Sequence, residues 1–434
     1  YNTLESITVT GVFNNLIASS TQLDIVNLGT STMADATLLS SQPSIVISGN
    51  NVVNVDLTDD AITYLSANTP NAVLLLQTAN NQLLDIDIIT DEFQLNGALV
   101  PSINIQDTST INTLDLATNS SGIHTLSYGN AIVPLITVDT TENSLTINGV
   151  TTSNITITGV SIDTLSIDSP NSTVSVEDLA VTVTALLIAD TIDLASSTLS
   201  TLNLNPLSAL SALTISSSPS FTTLQTNDIT IDDLTITTDA TTIAIYAQNA
   251  TNTIVQGDFI TDALIHVGNN DVSLTTQDIT LNLDLVANEV NVTLDAIVFT
   301  IDNTSTLTTL NLTAHNMTSL STNALITDVS IIDASAALVV TGTNVTTLDV
   351  TGDTSSFTAN VGTTTEVLFN STNTVSVVAV TVSSDTVDII SNTDINLTGP
   401  NLIDITFNVG TNDIDMQLDK VSLDAIISGT ANTL

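Results

Sequence analysis

Nearly every stretch of this chain alternates an aliphatic residue with a polar one and then stops at Asn, Asp, Gly or Ser. Segments 7–10 (Ile-Thr-Val-Thr), 281–285 (Leu-Asn-Leu-Asp-Leu), 290–294 and 403–407 are clear cases. A period of two puts successive side chains on opposite faces of a strand, so each segment has one apolar and one polar face. Ile, Val and Thr fill these segments, and β-branched side chains fit a pleated surface better than a helix. Segment 179–194 has helical length, yet its Val, Thr and Ile content assigns it to strand as well. The chain is therefore expected to be all-β.

Many of the breaks fall roughly ten residues apart, room for a strand of about five residues and a short turn. Sandwiches and solenoids both show that spacing. Two features favour a solenoid. The pattern Thr-Leu-x-aliphatic recurs at Thr113, Thr164, Thr201, Thr309 and Thr347, and the nearly equal steps from Thr164 to Thr201 and from Thr309 to Thr347 would each be two coils. Only 8 Phe and 4 Tyr are present, with no Trp, which suits a narrow interior of stacked Ile, Val and Leu better than a thick sandwich core. The expected fold is a right-handed parallel β-solenoid (β-helix) of short strands with coils of about 20 residues. Tandem β-sandwich domains are the alternative. One continuous repetitive domain over residues 1–434 is expected, with a kink or boundary near 205–220, where two Pro and many Ser cluster.

Charge then limits function. The chain has no Arg, one Lys (Lys420), no Cys and three His against 45 carboxylates, for a net charge of −44. Such a surface cannot neutralise phosphates, which excludes nucleic acid and disfavours anionic lipid. The absence of Cys removes disulfides, thiolate zinc sites and a Cys nucleophile. No apolar run reaches the ~18 residues of a membrane span. Nucleophilic catalysis lacks bases and phosphoryl chemistry lacks cations, so no enzyme is expected; carboxylate-pair glycan hydrolysis on a β-helix is the remote exception. The chain opens on Tyr1 rather than Met, as in a mature exported protein or a segment of a longer one.

The chemical hint that remains lies in the acids, 39 of the 45 being Asp. In 84–88 and 413–419 the aspartates alternate with apolar residues and share the outer face, Asp85 with Asp87 and Asp413 with Asp415. Asp232 and Asp233 form an adjacent pair, as do Asp59 with Asp60 and Asp91 with Glu92. Rungs of a solenoid lie ~5 Å apart, close enough for two carboxylates to share a Ca²⁺. Asp85, Asp87, Asp232, Asp233, Asp413 and Asp415 are thus the candidate metal ligands, in weak sites that fill at extracellular calcium levels. His124, His266 and His315 stand alone in sequence and read as ordinary histidines, and Lys420 pairs locally with Asp419 or Asp415. Asn154, Asn291, Asn311 and Asn344 begin Asn-x-Ser/Thr sequons and are candidate glycosylation acceptors, although this composition yields such sequons by chance.

The lack of Cys, the near absence of Lys and Arg, the abundance of Thr, Asn and Asp, and short strands such as Thr309-Leu310-Asn311-Leu312 and Thr347-Leu348-Asp349-Val350 resemble prokaryotic surface-layer proteins and large β-solenoid adhesins. The resemblance covers the whole chain in composition and pattern, without a diagnostic motif; the low Gly content departs from the calcium-repeat members. It implies secretion, assembly into sheets, sheaths or filaments, and calcium dependence. The expected function is an extracellular, cell-surface structural protein that assembles with copies of itself, divalent cations bridging its acidic faces. An adhesin or a phage or viral fibre shaft, with cell-surface glycan as a further partner, is the alternative.

Overall fold

A computed structural model describes residues 4–276 apart from 79–82, 97–99, 117–122, 141, 143, 160–161, 178, 196–198, 217–219, 227–228, 258 and 268–270. Beyond 276 it describes the strands as far as Asp424–Ser428, not the segments that join them. The chain is all-β, and its parallel strands stack into a β-solenoid. It divides into two compact units, Tyr1–Ser218 and Pro219–Leu434.

Each strand pairs in parallel with the strand one coil earlier and one coil later. In the first unit Leu38 is in register with Leu57, Leu57 with Leu76, and Leu76 with Leu95, an even step equal to that between the rung neighbours Asp35 and Asn54. In the second unit Thr309 is in register with Asp328 and Asp328 with Thr347, so the interval between those two copies of the Thr-Leu-x-aliphatic pattern is two coils. The interval from Thr164 to Thr201 slips by two. Thr164 lies beside Thr184, and Thr184 beside Asn203 rather than Thr201.

The inward positions form aliphatic stacks. On one sheet of the first unit Ala36, Val55, Leu74, Phe93, Leu114, Ile136, Ile155, Val174, Ile192 and Leu213 follow one another rung by rung, all buried. A side chain at ~4.8 Å repeat touches the one above and below, so each apolar residue is desolvated by its copies. In the second unit the corresponding stack runs Leu234, Thr253 and Val272. Thr253 is the polar member, 2% exposed, and its Oγ1 has no hydrogen-bond partner. A buried hydroxyl left unpaired is destabilising, and Val has the same shape. Thr253→Val should raise stability by about 1 kcal/mol, read by urea denaturation.

Corners are built by a recurring buried polar residue. Ser20, Ser40, Asp59 and Thr78 occupy the same corner on successive coils, and their amides donate to Leu39 O, Thr58 O, Gln77 O and Asn96 O one coil on. The corner side chain also accepts the amide two residues ahead: Gln42 N to Ser40 Oγ, Ala61 N to Asp59 Oδ1, and in the same way Glu142 N to Thr140 Oγ1 and Ala240 N to Thr238 Oγ1. Where it is Ser or Thr, the hydroxyl donates to a carbonyl on the preceding coil, as from Ser40 to Leu23, Thr140 to Ile123 and Thr238 to Phe221. These bonds use backbone groups that the turn takes out of the sheet.

Candidate functional site

Two kinds of outward position carry the acids. Within strands they alternate with the core: Leu84, Ile86 and Ile88 are buried while Asp85 and Asp87 face out half-buried. At a kink in each coil two successive side chains face out together, which is where Asp91-Glu92 and Asp232-Asp233 lie. Asp232 and Asp233 are both exposed.

In the paired registers, Asp85, Asp87, Asp233 and Asp415 have no aspartate as rung neighbour, whereas Asp404 and Asp424 are in register with each other. Asp85 lies between Tyr64 and Asn104, and Asp87 lies beside Ser66. Asp233 lies beside Asn252, with Asp271 one rung further. Asp413 lies outside the described residues, and Asp415 is in register with Asn396. Among the described residues no three His, Cys, Asp or Glu side chains converge as a metal-holding group. Of the sequon residues, Asn154 is exposed at the start of its strand, Asn291 and Asn311 are rung neighbours, and Asn344 lies outside the described residues.

What the carboxylates do meet is an amide or hydroxyl from the next coil. Asn54 Nδ2 donates to Asp35 Oδ1 at 2.8 Å, Gln77 Nε2 to Asp56 Oδ1 at 2.8 Å, and Asn104 Nδ2 to Asp85 Oδ1 at 2.7 Å. Thr108 Oγ1 reaches Asp87 at 2.7 Å, Asn112 Nδ2 reaches Asp91 at 2.9 Å, and Asn252 Nδ2 reaches Asp233 at 2.9 Å. Thr158 to Asp139 and Ser216 to Asp193 follow the same rule. These are charge-assisted bonds, stronger than neutral ones, and they stand where other proteins place Lys or Arg. The sequence signal is an Asp followed 19 to 23 residues later by Asn, Gln, Ser or Thr, legible only once the coil length is known.

Two carboxyls are shifted. Asn130 donates its backbone amide and its side-chain amide to Asp107, holding that exposed carboxyl below the ordinary range. Burial pushes Asp59 up, against hydrogen bonds from Ala61 N and Gln42 N that favour its charge. The folded pKa of Asp59 lies above the unfolded one, so its contribution to stability is full below the ordinary carboxylate pKa. That contribution is lost as pH rises through the raised value. Wild type should therefore gain stability on an Asp59→Asn variant as pH falls through that window, in urea denaturation at stepped pH.

His124 Nε2 lies 3.5 Å from Glu142 Oε2 in an exposed pair. His266 packs edge-on against Tyr246, its rung neighbour, with ring centroids 5.7 Å apart. His315 and Lys420 lie outside the described residues.

A direct test of the ladder is Asn104→Asp, which replaces the donor to Asp85 with a second carboxylate one rung away. At ~5 Å in water the repulsion is about 1 kcal/mol, and salt screens it. The variant should lose about that much stability at low ionic strength and recover it in high salt; a salt-independent loss would contradict the ladder.

Two surface concavities lie in the first unit. One, of about 400 Å³, is bordered by Asn104, Ser127, Asn148 and Asp168 on successive rungs. The other, of about 480 Å³, is bordered by Asp35, Asn54, Asp56, Leu75 and Gln94. No helix among the described residues is long and apolar enough to cross a membrane. Comparison with protein-family models, with curated proteins and with solved structures found no match to this chain.

Proposed function

We propose that this chain is an extracellular structural protein that assembles with copies of itself into a surface layer, sheath or filament, divalent cations bridging its acidic faces. The observation that carries the proposal is the rung-by-rung ladder of outward carboxylates held by amides and hydroxyls. Amide donors fix the carboxylates in place but leave their charge. With −44 charges and one Lys, two copies approaching face to face repel each other until a cation enters between them. Sodium screens such faces; calcium, with its preference for six to eight oxygen ligands, can take carboxylates from both.

Purified protein should form ordered polymers in Ca²⁺ that disperse on chelation, seen by negative-stain electron microscopy and light scattering. Single particles indifferent to Ca²⁺ and to chelator would refute the proposal.

A further inference from the structure

The larger of the two concavities on the outer face of the first unit has a volume of about 480 Å³. It runs along the solenoid axis rather than across it. Asn15, Asp35, Asn54 and Val73 are rung neighbours in one column, and Thr37, Asp56, Leu75 and Gln94 in the next. The lining covers five rungs, four intervals of ~4.8 Å, so the groove is about 19 Å long. Its volume is that of a small-molecule site, and its length suits an extended chain of several units.

The groups in it are planar amides and carboxylates held in fixed positions beside two aliphatic side chains. Asn54 Nδ2 donates to Asp35 Oδ1 at 2.8 Å, and with the Asn15 amide oriented to suit its neighbours, its nitrogen donates to Asp35 Oδ2 at 3.2 Å. Gln77 Nε2 holds Asp56 Oδ1 at 2.8 Å. Val73 and Leu75, facing out and half-buried, occupy the rung after Asn54 and Asp56.

We infer that this groove binds a neutral, polyhydroxylated glycan chain. Carboxylate and amide oxygens accept hydrogen bonds from sugar hydroxyls, and carboxylates make the stronger, charge-assisted ones. The second hydrogen of the Asn54 amide donates in return. Val73 and Leu75 offer an apolar patch for the C–H face of a pyranose ring. Acidic glycans and phosphates are repelled, because two aspartates border the groove and no amine does. Both oxygens of Asp35 and one of Asp56 already accept from amides, which fixes the carboxylates and leaves their remaining lone pairs to sugar hydroxyls. The groove lies within one unit of one chain, so binding does not depend on assembly.

The test is affinity electrophoresis of the full chain, with chelator present, through gels containing dextran, mannan or galactomannan, and alginate as the acidic control. At least one neutral polysaccharide should retard the protein and alginate should not. Retardation should weaken at least tenfold in Asn54→Ala/Asp56→Ala and in Leu75→Glu. It should persist in Asp233→Ala, which removes an exposed ladder acid elsewhere. All four substitutions are on outward positions, and circular dichroism verifies the fold; Leu75→Glu, which removes no hydrogen bond, serves if the double variant misfolds. Failure of every neutral polysaccharide to retard the wild type would overturn the inference, as would equal retardation of the groove variants. So would retardation that appears only when Ca²⁺ replaces the chelator.

Discussion

Gly149→Ala should destabilise the first unit by about 3 kcal/mol, at the upper end of what overpacking a core does. A Cβ at this position would fall directly onto the Tyr128 ring. Ser127 pairs with Asn148 and Gly129 pairs with Gly149, so Tyr128 is the extra residue of a bulge, turned inward over the glycine. The ring is fully buried and cannot swing away, because its hydroxyl is anchored 2.6 Å from Ser169 Oγ. Ser169 Oγ in turn lies 2.5 Å from Ser172 Oγ, and Ser172 Oγ accepts from Ser153 N at 3.1 Å. The new methyl therefore meets a side chain tied through three serines to the next coils. Urea denaturation gives the loss, and a double-mutant cycle assigns it. In a Tyr128→Leu background the same Gly149→Ala change should be nearly neutral, since the clashing atoms are gone. Additive losses would place the strain elsewhere.

Phe93→Ala should remove about 3–5 kcal/mol, the range for deleting a buried phenyl ring. Phe93 is fully buried between Leu74 and Leu114 in the aliphatic stack, and Ala opens a cavity there. The loss should also be local. In a stacked fold each coil touches only its neighbours, so stability is passed along one dimension. Amide exchange should accelerate in the strands carrying Leu74 and Leu114 and change little around Val174. Uniform acceleration across the unit would mean that its coils unfold as one.

The alternation of residues was enough to place the strands. In 84–88 the three apolar residues are buried and both aspartates face out, as period two requires. Segment 179–194, long enough for a helix, is strand throughout (Leu179–Ala195). Coil length was legible from Thr309 and Thr347 because the two coils between them are equal, with Asp328 at the midpoint. Lateral neighbours were not. Alternation says which face a side chain is on, while its rung neighbour depends on every corner in between. Those corners vary: the coil that carries Ser102 to its partner Thr125 is longer than the one that carries Leu83 to Ser102. A slip of one residue moves a side chain to the opposite face, and a slip of two replaces its neighbour. Stacked aspartates were therefore a fair expectation from composition; Asn104, Ser66 and Asn252 stand beside Asp85, Asp87 and Asp233 instead, while Asp404 and Asp424 are in register. The groove was hidden for the same reason, since Asp35, Asn54 and Leu75 share nothing in sequence beyond their register.

The ladder has a prevailing direction, with Asn15, which donates to Asp35 from the coil before, as the exception. In the pairs Asn54 to Asp35, Asn104 to Asp85, Asn112 to Asp91, Thr158 to Asp139 and Asn252 to Asp233 the donor always comes later in the chain. A chain that emerges from its N-terminal side thus presents, on the coils that carry Asp85, Asp91, Asp139 and Asp233, carboxylates whose later amide or hydroxyl partners have not yet been delivered. The growing edge stays charged and wet, which discourages it from accepting a strand of another molecule, until its own next coil arrives with the matching donors. Asp first, Asn a coil later, is in effect a timing rule written into the sequence.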